Sequence, residues 1–180
     1  MPSSPSDEAD QRRRIPLAPP AVSEAGKAAE AQILASRGRI TPLYQVLLNS
    51  LPVARGWESL LTAIRQQMAL DPALRELIIL RVAVLNQADY EFEAHVPYAR
   101  QAGLSDAKIE AVKGAARSLF DQTEQAVLDY TDAMTREIRV DDALFARIKD
   151  CFDPTARVEI TATVAAYNMV SRFLIALDVH

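Results

Sequence analysis

The chain has one internal histidine, His95, and it follows Glu91 by four residues in Ala88-Asp89-Tyr90-Glu91-Phe92-Glu93-Ala94-His95. On a helix of 3.6 residues per turn that spacing puts both side chains on one face, and Tyr98 falls on the same face. A second carboxylate, Glu76, stands within Leu74–Leu85, a run apolar almost all round the helical wheel, on the stripe of Leu80 and Ala83. A helix with that pattern is buried, and a buried carboxylate is costly unless it is paired or protonated. Two carboxylates, an imidazole and a phenol can therefore meet. Their shared chemistry is proton transfer, with His95 suited to general acid/base work because the ordinary imidazole pKa lies near working pH.

The elements that must hold these groups read as helices. Asp71-Pro72 is a helix start, an N-cap acceptor followed by proline where no N–H is needed. Similar signals open helices at Ser23, Thr41-Pro42, Pro52, Ser105, Thr123, Asp141 and Asp153-Pro154, and Gly38 and Gly103 close two of them. Pro97, two residues past His95, lacks an N–H and crowds the carbonyl of Glu93, which predicts a kink or break there. No segment alternates with period two, so the expected fold is all-α.

Shifting the sequence by 82 residues lays DPALRELIILRVAVLN, from Asp71, over DPTARVEITATVAAYN, from Asp153, with seven of sixteen positions alike. That match predicts two similar helical hairpins about a pseudo-twofold axis. Opposite Glu76, Glu91 and His95 stand Val158, Phe173 and Leu177, so only one copy carries the polar set.

Composition narrows the function classes. At 180 residues, 49% of them apolar, the chain is long enough for one domain with a real core, expected over residues 21–180. Residues 1–20 hold five of the ten prolines and no helical period, and read as a disordered or extended leader. A net charge of -4 with scattered basic residues gives no footing for nucleic acid or a membrane surface. No apolar run reads as long enough to span a bilayer, and no signal-peptide core precedes the fold, so the expected compartment is cytoplasmic. The single cysteine, Cys151, excludes an internal disulfide and Cys-x-x-Cys chemistry, and reads as a small buried hydrophobe. Carboxylates and imidazole suit divalent metals, but with one internal histidine the site is read without a metal.

The spacing around these residues resembles the carboxymuconolactone decarboxylase family, which shares its helical fold with alkylhydroperoxidase D-like proteins. In the peroxidase branch a Glu is followed by eleven residues, Cys-x-x-Cys, three residues and a His. Here the same frame gives Glu76, Ala88 and Glu91 in place of the cysteines, then His95. Further resemblance lies in Ala102-Gly103-Leu104-Ser105, Asp129-Tyr130-Thr131-Asp132-Ala133-Met134-Thr135 and Tyr167-Asn168-Met169-Val170-Ser171-Arg172-Phe173.

The resemblance implies an alkylhydroperoxidase D-like helical bundle and a homotrimer or homohexamer. Because the thiols are missing, it implies the cofactor-independent decarboxylase branch, acting on a small carboxylated lactone or related unsaturated acid. On that reading His95 is the general acid/base, Glu76 orients it, and Glu91 is a second proton carrier or a neutral hydrogen-bond donor. Tyr98, Tyr90, Arg81, Arg172 and Trp57 are the candidates for substrate binding. Isomerisation, cyclisation or dehydration at the same site, and a helical oligomer without catalysis, are the alternatives.

Overall fold

A computed structural model describes residues 14–114 and 117–179. Most of the expected leader, residues 1–13, and the terminal His180 lie outside the described residues. Among those described there are nine α-helices, one π-helical turn and no strand. The all-α expectation holds. The contacts divide the chain into two compact units, one of Met1–Gln67 with Leu174–His180 and one of Met68–Phe173.

The first unit contains α1 (Glu24–Arg37), α2 (Pro42–Leu47), α3 (Leu51–Thr62) and a π-helical turn, Ala63–Gln67. Ser23 caps α1 by accepting from the Gly26 N–H, and Gly38 ends it at φ 74°, a conformation open to glycine because it lacks a Cβ. Residues 16–20, in neither helix nor strand, are tied to this unit: Asn49 Nδ2 donates to the Pro16 carbonyl at 2.8 Å and the Ala18 N–H to the Gln45 carbonyl at 3.1 Å. A Cβ on Gly26 would come within 2.7 Å of the Ala21 Cβ, so only glycine lets that segment lie so close to α1.

Glu58 of α3 is buried but fully satisfied. Ser36, Tyr44 and Thr62 hydroxyls donate to it, and Arg37 Nε lies 3.1 Å away. Burial opposes its charged form, yet those hydrogen bonds and the Arg37 charge hold the carboxyl below the usual range. Burial and the bond to Glu58 push the Tyr44 phenol up. This cluster fastens α1, α2 and α3 together and leaves Glu58 no free lone pair to spend on chemistry.

The second unit holds α4 (Pro72–Leu85), α5 (Asp89–Gln101), α6 (Asp106–Ala111), α7 (Gln122–Arg136), α8 (Asp142–Cys151) and most of α9 (Pro154–Leu177). Its centre is α4, which packs on α5 and α7. Leu77, Ile78, Ile79, Leu80 and Val82 are all fully buried, as an apolar surface on every side requires. Each such side chain contributes about 1.5–3 kcal/mol by leaving water. Asp71 starts α4 by accepting from the Ala73 and Leu74 N–H groups. A capping box at Asp121 and Glu124 starts α7.

Three sequence expectations need correction. Of the kink or break expected at Pro97, the break does not occur: α5 continues to Gln101 through the proline, which has no N–H to donate. Cys151 is exposed at the end of α8, not buried. By length and composition α9 does pass for a membrane span, although half of its apolar window is buried within the fold, as in a core helix.

The internal repeat is visible, with one difference. Asn86, the C-cap of α4, donates to Asn168 Oδ1 at 3.0 Å and to Ser171 Oγ at 2.7 Å. In the first copy the chain turns just after that asparagine. Gln87 adopts φ 58°, the Gln87 N–H reaches Val84 and the Ala88 N–H reaches Ala83, the two bonds of a Schellman motif. In the second copy α9 runs straight through the equivalent position. The repeat is thus a hairpin in one half and a single long helix in the other, which corrects the expectation of two similar hairpins.

Candidate active site

The turn at Gln87 folds α5 back along α4 and brings the later turns of α5 beside the start of α4. His95 Nδ1 lies 2.7 Å from Glu76 Oε2. Both groups are buried, with Glu76 1% and His95 7% exposed. A carboxylate only accepts, so Nδ1 carries the proton of the neutral imidazole and Nε2 is the basic nitrogen. That orientation makes the imidazole a defined base, and the adjacent carboxylate supports the imidazolium after proton uptake.

Two aromatic rings set the plane of the imidazole. Tyr167 of α9 meets His95 edge-on, with centroids 5.2 Å apart at 88°. Tyr98 lies 5.7 Å away at 50°. Tyr98 was expected on this face, whereas Tyr167 was not assigned to the site. Its sequence signal was indirect, since it lies within a stretch that carried the family resemblance. Arg75 is the second residue the sequence reading missed. Its Nε lies 3.3 Å from Glu76 Oε1, the oxygen not turned to His95. A neighbour in sequence is easily overlooked, because consecutive helical residues point about 100° apart.

Glu91 completes the buried acid set without bonding to the pair. It is 2% exposed, and neither carboxyl oxygen has a hydrogen-bond partner among the described residues. Burial pushes its carboxyl well above the usual range, favouring the neutral acid. A neutral carboxyl one turn before His95 is a proton donor and a hydrogen-bond donor waiting for an acceptor. Ala88, at the position of the family's first cysteine, is buried and inert. Among the described residues no three His, Cys, Asp or Glu side chains are grouped to hold a metal ion.

The remaining candidates divide. Tyr90 is half-buried in the first turn of α5, and Arg172 is exposed on α9. Trp57 is a core residue of the unit built on α1 to α3. Arg81 is committed to the scaffold: Nε and Nη2 clamp Asp132 at 2.5 and 2.6 Å, while Nη1 donates to the carbonyls of Val112 and Gly114. A guanidinium tied by four bonds has little left for a ligand, so its assignment to substrate binding is corrected.

Residues 52–133, which include Glu76, Ala88, Glu91 and His95, match the family model of the carboxymuconolactone decarboxylase family. The fold agrees. A peroxidase-related protein from Ralstonia eutropha, described as an alkylhydroperoxidase AhpD core, superposes with a TM-score of 0.79 at 17% identity, covering 93% of this chain and 91% of its own. The chain has the AhpD-like all-α fold, and its residues 52–133 carry a likeness to the carboxymuconolactone decarboxylase family.

Further similarities stand beside that match. The protein YnjA of Escherichia coli is 30% identical over 117 residues, a match spanning 64% of each chain and so less than two thirds of the relative's length. A peroxidase-related protein from Silicibacter superposes with a TM-score of 0.77 at 20% identity, covering 91% of this chain and 87% of its own. The debrominase Bmp8, as a cysteine-to-alanine variant bound to 2,3,4-tribromopyrrole, gives 0.73 at 17% identity, with 90% and 89% covered. At these identities the structures establish the fold alone.

Proposed function

We propose that this chain is a cofactor-independent acid/base enzyme, a carboxy-lyase acting on a small carboxylated lactone or related unsaturated acid. The observation that carries the reading is the buried 2.7 Å contact between Glu76 and His95, with the buried carboxyl of Glu91, which has no hydrogen-bond partner among the described residues, one turn away on the same helix. The matched family supports it, as does alanine and glutamate replacing the thiol pair.

In the proposed reaction the bond between the ring carbon and the carboxylate breaks and CO2 leaves. The electron pair moves through the conjugated system onto the carbonyl oxygen as an enolate. Glu91, as a neutral acid, donates a hydrogen bond to that oxygen as charge develops there. His95, having taken up a proton from solvent at Nε2 before the step, then delivers it to carbon, the double bond shifts and the imidazole returns to its neutral form; proton transfer of this kind contributes about 10²–10⁴-fold. Glu76 holds the ring in place and offsets its charge.

Isomerisation passes through the same enolate, and the same residues serve it. CO2 separates the two. The test is a screen of small unsaturated carboxylic acids, labelled with ¹³C at the carboxyl, for release of labelled CO2 by the purified protein. Release by wild type that disappears in His95→Gln is the expected result. Double-bond migration without CO2 would replace the lyase reading with an isomerase, and release unchanged in His95→Gln would overturn the mechanism. A homotrimer or homohexamer is also proposed, supported by apolar side chains left on the surface of α9, among them Val158 and Met169.

A further inference from the structure

Exposure falls steadily along one face of α5. Tyr98 is 44% exposed, His95 7% and Glu91 2%. These three residues span seven positions, or about 10 Å of helix axis, roughly the length of a small ring with one substituent. A ligand touching His95 therefore has a wet end near Tyr98 and a dry end near Glu91. At the dry end the available partner is a neutral acid. Beside His95, through Glu76, stands a cation.

That cation is Arg75, whose bonding differs from that of Arg81 in the same helix. Arg81 makes four short bonds and is spent on the scaffold. Arg75 makes one, from Nε to Glu76 Oε1 at 3.3 Å, long for a charge-assisted bond, and its two Nη groups form none among the described residues. Its side chain is 15% exposed, so the guanidinium is largely withdrawn from water yet has four N–H donors unused. The aligned edge of two Nη groups suits the two oxygens of a carboxylate.

We propose that Arg75 is the specificity residue of this site, using its Nη edge to select ligands that carry a carboxylate while its Nε keeps Glu76 in position. This rests on the reading of Glu76 and His95 as the reacting centre, but claims something separate: the charge type the site accepts. The carboxylate held there is one that stays with the product. A clamp on a departing carboxylate would stabilise the ground state over the transition state and slow CO2 loss. Uncharged analogues of the same shape bind without it and more weakly.

The test is equilibrium binding of two probes that differ in charge and hardly in shape, 2-furoate and 2-furamide. Full-length wild type, Arg75→Gln and Arg75→Lys are titrated with each, following the His95 imidazole Cε1–H resonance, assigned by its absence in His95→Gln. Wild type binds furoate more tightly than furamide. Arg75→Gln weakens furoate by about tenfold, the loss of one two-pronged charged contact, and leaves furamide within about twofold. Arg75→Lys restores part of the preference, because a point charge replaces the fork. A purely structural role for Arg75 would weaken both probes together. Equal affinity of wild type for the two probes, failure of wild type to bind furoate, or furoate affinity unchanged in Arg75→Gln would each overturn the proposal. Should Arg75→Gln not fold, Arg75→Lys decides: its furoate preference falls by about threefold or the proposal fails. The readout is binding rather than turnover, so these outcomes are independent of whether CO2 is ever released.

Discussion

Asn86 Nδ2 and Asn168 Oδ1, 82 residues apart and equivalent under the internal repeat, hydrogen-bond to each other at 3.0 Å. The contact joins the two aligned stretches at their last matching residue. Asn168 also donates to Thr135 Oγ1 at 2.9 Å and to the Val164 carbonyl, so one amide ties α4, α7 and α9. Replacing it with leucine takes from Asn86 one of its two acceptors, leaving Ser171, and takes from Thr135 the amide donor. Unmet buried groups cost about 1–3 kcal/mol each, and Asn168→Leu is expected to lower stability by about that much or more. Urea unfolding reads it: a midpoint within error of wild type would show that the paired asparagines do not brace the repeat.

Arg81 gives a second stability prediction, opposite in kind to its sequence reading. Arg81→Met keeps the length of the stem but strands Asp132 and the carbonyls of Val112 and Gly114. Breaking one side of a buried ion pair costs about 3–5 kcal/mol, here reduced because Asp132 is partly exposed and keeps Arg117 at 3.1 Å. A fall in stability of about 2 kcal/mol or more is expected, with furoate affinity unchanged in protein that remains folded. Loss of furoate affinity with normal stability would return Arg81 to the ligand.

Glu76 is expected to act through His95. In Glu76→Gln the side-chain oxygen still accepts from Nδ1, so the ring can hold its place, but the charge that supports the imidazolium is gone. Turnover should fall by about 10²–10⁴-fold while the melting temperature moves little. The measurement is single-turnover CO2 release beside a thermal melt. Activity within a few-fold of wild type would remove Glu76 from the mechanism.

Much of this architecture could be read from residue types alone because the signals are local. Asp71-Pro72, Ser23, Gly38 and Ser105 mark helix ends by their own chemistry, and the apolar run from Leu74 to Leu85 declares its burial. The Glu76–His95 pair was readable because a known motif spacing, with glutamate and alanine at the thiol positions, fixed the frame. What escaped was set by tertiary contact. Tyr167 reaches His95 only because α9 packs against the hairpin, and its neighbours in sequence gave only the indirect signal of the resemblance. Arg81 and Arg75 are the same residue type in the same helix; their opposite uses depend on Asp132 and Glu76, one distant and one adjacent. The turn at Gln87 was unreadable for another reason, since glutamine occupies a left-handed position that sequence rules assign to glycine or asparagine.

Glu91 offers a test that needs no substrate. Burial raises its carboxyl well above 4.5 in the folded chain, whereas the unfolded chain keeps the ordinary value. Between those two values the native state holds a proton that the unfolded state has lost. Stability then falls as pH rises through the window, and the contribution is fully present only below the unfolded value. Glu91→Gln is neutral at every pH and similar in shape, so it removes this slope. The variant should match wild type near pH 4 and gain on it with rising pH, by up to about 1.4 kcal/mol per unit inside the window. Urea midpoints at a series of pH values measure the difference. Parallel curves for the two proteins would mean that Glu91 finds a partner or solvent in the folded state. The same substitution keeps a hydrogen-bond donor but cannot pass a proton, so turnover that survives in Glu91→Gln assigns Glu91 to binding the developing oxyanion, and turnover that is lost assigns it to proton transfer.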